Sequence, residues 1–388
     1  MTNDAGKLQQ ERYELFDKLF TGQIPKRVPL GHYVFNPFAI QFAGYDLFDS
    51  QWDTNGLLAK ACDEFCSQVF TDIVPVASVI VPYPYQVLKS RSYKMSKGGF
   101  MQHPEISGMD AEDYDAFIKN PFDVMLEKIL PTLFPALDTD PVTRSVNMAK
   151  GIVAYREEQA VMAKIRSDAT AKYGYLKPPA NSSGGGIKCP FDFLADFIRG
   201  FGNILIDCRR HPEQVIEACD AVFPLLIRKA TPSNPHYMGT TSITTHMPGF
   251  MRTKDFEKFY YPTFKKMIET FVDSGMGVRV FCEGDWMRYL DHLRDLPENV
   301  RLRFEYGDPK IIKEKLGDKH IISGLYPISI LQIGTKEEVI NKAKEYLDIL
   351  APGGRYYFEF DKSAITCQGN MRENIIALSD YLRDNATY

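Results

Sequence analysis

From residue 278 onward the sequence alternates short β-branched or aromatic runs with longer segments of helical spacing. That alternation restricts the fold more than any other feature. The runs at 278–281, 300–304, 320–323 and 356–360 are short and apolar and read as buried strands. The intervening segments 286–296, 309–316, 336–350 and 373–384 carry apolar residues at helical spacing. Strands separated by helices pair in parallel, because a parallel neighbour needs a crossover connection. An open doubly wound sheet would alternate in the same way. No Gly-rich dinucleotide turn follows any of these strands, which favours an α/β fold of the (β/α)8 TIM-barrel type.

The upstream chain is less regular but can supply the remaining strands. Helical spacing runs over 7–20 and stops at Thr21-Gly22, and a strand is expected over 28–34. A helix over 57–68 precedes a β-branched stretch, 69–81, which Pro75 and the sequence Pro82-Tyr83-Pro84-Tyr85 break into a loop. Residues 90–105 allow a hairpin, and 110–170 read mostly as helix punctuated by Pro121, Pro131 and Pro141. The stretch 174–190 reads as a loop at the barrel mouth; its three glycines lack the spacing of a phosphate-binding loop. Helices over 192–206 and 212–229, a strand over 238–243 and an aromatic-rich helix over 254–274 complete the pattern. One (β/α)8-barrel domain spanning 1–388 is expected, with a helical extension over about 1–22.

Composition narrows the function classes. A formal net charge of -4 and the lack of a basic stripe argue against nucleic acid as a partner. The first twelve residues are polar and charged, so no secretory leader is expected there. No apolar run in the sequence approaches the ~18 residues that a membrane span requires. Seven cysteines, an odd number scattered through the chain, suit a reducing cytoplasm rather than a disulfide framework. Cys62 and Cys66, four apart on a helix, read as core.

In a (β/α)8 barrel the chemistry comes from the C-terminal ends of the strands. Those positions hold Cys282-Glu283-Gly284-Asp285, Glu305-Tyr306-Gly307-Asp308, Leu325-Tyr326 and Asp361-Lys362, with His246 following the strand at 238–243. Converging carboxylates repel unless they bind a cation, share a proton or meet a cationic substrate. Glu283 and His246 are the candidate catalytic groups, although a histidine beside Met247-Pro248 can equally tie its own loop. Asp308 before Pro309 reads as a helix N-cap, and Asp285 can cap in the same way. Glu305, Asp361, Tyr326, Tyr83 and Tyr85 are candidate substrate-binding residues, the aromatic ones, with Phe35, as walls for a ring or an onium group. Cys282, Glu283 and His246 would be chemically adequate zinc ligands, and Cys367 could join them. Their spacing matches no recognised zinc signature.

The segment from about 245 to 376 resembles the uroporphyrinogen decarboxylase superfamily. The resemblance rests on His246-Met247-Pro248-Gly249-Phe250-Met251 with Phe256-Glu257-Lys258-Phe259-Tyr260-Tyr261-Pro262, and on Val280-Phe281-Cys282-Glu283-Gly284. It continues through Ile322-Ser323-Gly324-Leu325-Tyr326-Pro327, Gly334-Thr335-Lys336-Glu337-Glu338-Val339 and Arg372-Glu373-Asn374-Ile375. Weaker similarity reaches Arg27-Val28-Pro29 and Thr71-Asp72-Ile73. The resemblance implies a barrel fold and one of two activities, decarboxylation of uroporphyrinogen or methyl transfer involving a corrinoid carried on a separate protein.

The decarboxylase's arginine-rich signature is absent after Pro29, where the chain reads Leu30-Gly31-His32-Tyr33, and its late Gly-His-Gly is absent too. The His-x-Cys zinc motif of the methyltransferase branch is replaced by Phe281 and Glu283, with Gly284 retained. The resemblance therefore points to members acting on methyl ethers or methylamines. In that reading Glu283 or His246 assists the departing oxygen or nitrogen, and the partners are a corrinoid protein and a small methylated substrate. A decarboxylase of the same superfamily, a non-catalytic binding barrel and a homo-oligomeric assembly stand as alternatives or additions.

Overall fold

The computed structural model describes residues 2–31, 34–52, 56–77 and 81–388. Parts of the strands expected over 28–34 and 69–81, and His32 and Tyr33, lie outside the described residues. The strands are β1 (Val34–Phe35), β2 (Val76–Ala77), β3 (Lys94–Met95), β4 (Met101–Gln102), β5 (Gly185–Lys188), β6 (Thr241–Thr244), β7 (Val278–Asp285), β8 (Arg301–Tyr306) and β9 (Ile321–Gly324). Strands β5 to β9 form a five-stranded, all-parallel sheet in sequential order. Parallel bridges carry this ladder onward. Ile322 pairs with Tyr356, Phe358 with Leu30, Ala364 with Val34, and β1 with β2.

Eight extended segments thus lie side by side in chain order, as a (β/α)8 barrel requires. Among the described residues no ladder joins β2 to β5, so the barrel is open along that seam. Its neighbourhood is bound differently, by Leu176 donating its backbone N–H to the Asp72 carbonyl. The loop expected over 174–190 contains β5 at its end. Two glycines at 185 and 186 masked the strand, because they add flexibility and no side-chain pattern.

Alternation along each strand separates the barrel interior from the layer beneath the helices. In β7, Val278, Val280 and Cys282 are buried in the hydrophobic core, while Arg279, Phe281 and Glu283 occupy the other face. In β8, Leu302 and Phe304 join that core, and Arg301, Arg303 and Glu305 share the opposite face. The core packs outward-facing residues against the helices Pro212–Ala230, Tyr261–Asp273, Lys336–Leu350 and Met371–Asn385. Asp308 caps its helix by accepting from Lys310 and Ile311 N–H at 2.8 and 3.2 Å, as expected from the sequence.

The stretch between β2 and β5 carries the predicted hairpin, β3 with β4, and a 33-residue helix, Pro141–Tyr173. The N-terminal helix Thr2–Phe20 lies across the N-terminal end of the barrel. It is pinned by Arg12, whose Nε donates to the buried Asp72 carboxylate at 3.2 Å. Arg27 Nη1 and the Leu30 N–H donate to the same group at 2.7 and 2.8 Å. A buried charge is tolerated when it is paired and hydrogen-bonded in this way.

Candidate functional site

The C-terminal ends of β5 to β8 bring Lys188, His246, Glu283 and Glu305 to one mouth. Two carboxylates from the helical segment after β5 complete the group. Asp192 lies in the turn Pro190–Phe193 and Asp196 in the π-helical turn Leu194–Arg199. A π-turn widens the spacing along a helix, and such turns are frequent at functional sites. Here it ends at Gly200, which adopts φ +83°.

Asp192 is completely buried. Its Oδ1 accepts from the backbone N–H of His246 at 3.1 Å and of Met247 at 2.8 Å, and its Oδ2 accepts from Tyr260 Oη at 2.6 Å. Burial pushes its carboxyl up to about 6, against the opposing pull of Lys188 and Tyr260. Asp192 therefore fixes the loop that carries His246. Asp196 sets the ring itself, with Oδ1 at 2.8 Å from His246 Nδ1 and Oδ2 at 2.8 Å from Lys188 Nζ. That hydrogen bond raises the His246 pKa over the opposing effect of burial, and Glu283 adds to the rise.

Glu283 is held by a break in its own strand. The β7–β8 register shifts between Cys282 and Asp285, and Gly284 takes φ +74°, which favours glycine. The Glu283 N–H donates to Thr245 Oγ1 at 3.3 Å, and the Gly284 N–H donates to Glu305 Oε2 at 2.8 Å. Burial raises the Glu283 carboxyl above the ordinary range. His246 and Lys188 oppose the shift, while Glu305 and Asp196 reinforce it. Glu305 moves the other way: burial opposes, but Lys362 Nζ at 2.7 Å and the Gly284 N–H hold it lower and ionised. Two carboxylates at one mouth are thus pushed apart in acidity, which is how acid and base roles are separated.

Asp361 is raised by burial. Its Oδ1 accepts from the N–H groups of Ile328 and Lys362 at 3.1 and 2.7 Å, so it also ties two mouth loops together. Two aromatic groups flank the histidine. Phe201 lies 5.6 Å and Phe250 6.2 Å from the His246 ring. A second series runs from Tyr85 to Tyr93 at 4.8 Å, to His103 stacked at 4.3 Å, and to Phe197 at 6.3 Å. His103, lowered by burial, senses the charge of Asp196 and of His246.

Four expectations need correction or qualification. Tyr326 does not line the mouth: it is fully buried, its hydroxyl donates to the Val339 carbonyl at 2.9 Å, and its ring packs on Phe358 and Phe360. Cys282 does not join Glu283 and His246 as a zinc ligand. It sits on the opposite face of β7, fully buried, with its thiol pushed well up by burial. Among the described residues no group of three or more His, Cys, Asp or Glu side chains could hold a metal ion, so a zinc site does not fit these residues. Cys367 packs partly buried against the core, its N–H bonded to Gln41 Oε1. Tyr83 lies on the other side of the short helix Pro82–Val87 from Tyr85, because two residues along a helix turn by about 200°. It is exposed beside Phe48, Trp52 and Met95, apart from the Glu283 cluster.

Lys188, Asp192, Asp196 and His103 were missed from the sequence. The i, i+4 spacing of Asp192 and Asp196 directly after Lys188-Cys189-Pro190 was the available signal. The short β5, led by two glycines, hides it.

Residues 178–365 match the family model for uroporphyrinogen decarboxylase (URO-D). This stretch runs from before β5 through the 356–360 segment, and over it the resemblance to that superfamily holds. A solved structure, a methyltransferase from Methanosarcina mazei, superposes with a TM-score of 0.62 over 97% of this chain and 98% of its own, at 14% sequence identity. That likeness establishes the shared fold along nearly the whole chain. No curated protein matches the sequence. Among the described residues no helix is long and apolar enough to cross a membrane.

Proposed function

We propose that this protein is a methyltransferase moving a methyl group from a small methyl ether or methylamine to a corrinoid carried on a separate protein. The reading is carried by one observation, the placement of Glu283 and His246 within electrostatic reach of each other at the barrel mouth, both with raised proton affinity. The fold shared with a methyltransferase supports it. A reduced corrinoid supplies the nucleophile for the methyl carbon.

The chain's own residues address the leaving group. When the bond from methyl carbon to oxygen or nitrogen breaks, its electron pair stays on the heteroatom, which then needs a proton. Burial raises the proton affinity of the Glu283 carboxyl, which suits it to deliver a proton from its carboxyl oxygen. His246 holds one at Nε2 while Asp196 orients Nδ1. General acid catalysis requires the donor to lie within hydrogen-bond reach of the departing atom. Asp196 is a positioning residue and Lys188 tempers its charge. Phe201 and Phe250 give the His246 ring an apolar side against which a methylated substrate packs.

The experiment is methyl transfer with purified corrinoid protein and candidate methoxylated aromatics and methylamines, comparing the protein with Glu283→Gln and His246→Ala. Full activity in both variants would place the chemistry elsewhere. A decarboxylase is the second reading. It is favoured by Arg303, a cation on the interior face of β8 below the mouth, whose Nε donates to the Phe360 carbonyl at 3.0 Å. Carbon dioxide release without methyl transfer would select that alternative.

A further inference from the structure

The opposite end of the barrel holds a cavity. It has a volume of about 700 Å³ and opens along the seam between β2 and β5, where Val74 and Gly185 stand on either side. Its position, at the N-terminal end under Phe16 and Phe20, separates it from the Glu283 mouth. The size lies within the ~300–1,000 Å³ of small-molecule sites.

The lining is unusual in charge. Arg279 and Arg301 are direct register partners on neighbouring strands, so their side chains emerge side by side on the interior face. Among the described residues lining the cavity, Glu359 is the sole acidic one; it accepts from Arg279 Nη2 at 2.8 Å and from Ser323 Oγ at 2.6 Å. Arg301 has only neutral contacts among the described residues. It donates to the Tyr237 carbonyl and to Thr240 Oγ1, and its guanidinium lies 3.3 Å over the Phe20 ring. It is 3% exposed, and burial together with the neighbouring Arg279 charge lowers its pKa to about 9. Arg166 and Lys177 add positive charge at the rim.

In a chain of net charge -4, this interior concentrates cations. Arg301 is buried beside the Arg279–Glu359 pair and makes no ion pair of its own among the described residues, an arrangement that a further anion would stabilise. Phe16, Leu176 and Met238 give the same cavity an apolar wall. We infer that this cavity is a binding site for an organic anion, a carboxylate or phosphate monoester with an apolar body, whose charged head pairs with Arg301 and Arg279. The site stands independently of the methyl-transfer reading, because none of its residues belongs to the Glu283 mouth.

Calorimetric titration of the full chain with benzoate, phenyl phosphate and benzyl alcohol tests the inference. One or both anions should bind with 1:1 stoichiometry and the neutral alcohol should not; the tighter anion tells a carboxylate site from a phosphate site. Arg301→Met should weaken that binding by about tenfold or more, the loss of a charge-assisted pair. Ser242→Phe, which fills the cavity from β6 without touching either arginine's charge, should abolish it while circular dichroism stays unchanged. The inference is overturned if neither anion binds the unaltered protein, if benzyl alcohol binds equally well, or if binding survives whichever of the two variants folds.

Discussion

His246 Nδ1 lies 2.8 Å from Asp196 Oδ1, and this contact decides both the orientation of the imidazole and its readiness to hold a proton. Asp196 in turn is anchored on Lys188, so a strand end, a π-turn and a loop meet at one ring. Because the Asp196 hydrogen bond raises the His246 pKa, the protonated ring persists above the ordinary histidine range. A rate that needs this proton falls as pH rises through the raised pKa. Asp196→Asn removes the charge and moves that falling limb to lower pH. A pH profile of kcat/KM checks this; an unmoved limb would remove His246 from the acid role. For stability the sign is the same, since the contribution is full below the unfolded pKa and is lost as pH rises through the folded one.

Glu283 gives a contrasting test. Its carboxyl is raised by burial, so the folded state prefers it neutral, and its stability contribution is lost as pH rises through the folded pKa. Glu283→Gln keeps the shape and removes the titration. We expect kcat/KM to fall by about 10²-fold or more, the usual scale for a general acid. Thermal unfolding at alkaline pH should show a Tm no lower than that of the unaltered protein. A clear drop in Tm would mean that the carboxylate has a structural partner instead.

Tyr326→Phe separates wall from core. The hydroxyl is buried and bonded to the Val339 carbonyl, so its removal should cost about 1 kcal/mol in denaturant unfolding. KM for the methyl donor should not change. A raised KM would restore Tyr326 to the substrate site.

Cys282 is the corresponding test for metal. Cys282→Ala should leave zinc content and turnover unaltered and lower stability by about 1 kcal/mol, the scale for a small group deleted from a packed core. Loss of stoichiometric zinc in this variant would contradict the placement of its thiol on the helix-facing side of β7.

The late strands and helices were legible because each has its own period and punctuation. The helices Pro309–Leu316 and Lys336–Leu350 fall on the expected residues. Glu283, His246, Glu305 and Asp361 could be placed at the mouth because a strand end is recognisable from its glycine or its acidic cap. What failed has two physical causes. Cys282 and Tyr326 lie one residue away from the inward register, and a shift of one residue along a strand turns a side chain to the other face. Lys188 and the two aspartates follow a strand of only four residues that begins with two glycines and carries little β pattern. The pairing of Arg279 with Arg301 depends on strand register, which composition and spacing do not reveal.

The central claim is methyl transfer at the Glu283–His246 mouth. The most direct measurement follows the absorbance of cob(I)alamin on its carrier protein, with this protein and a panel of methoxylated aromatics and methylamines. The account predicts that at least one donor consumes the cob(I)alamin signal at a rate that depends on this protein and falls about 10²-fold or more in Glu283→Gln. No consumption with any donor in the panel, or undiminished consumption in that variant, would contradict it.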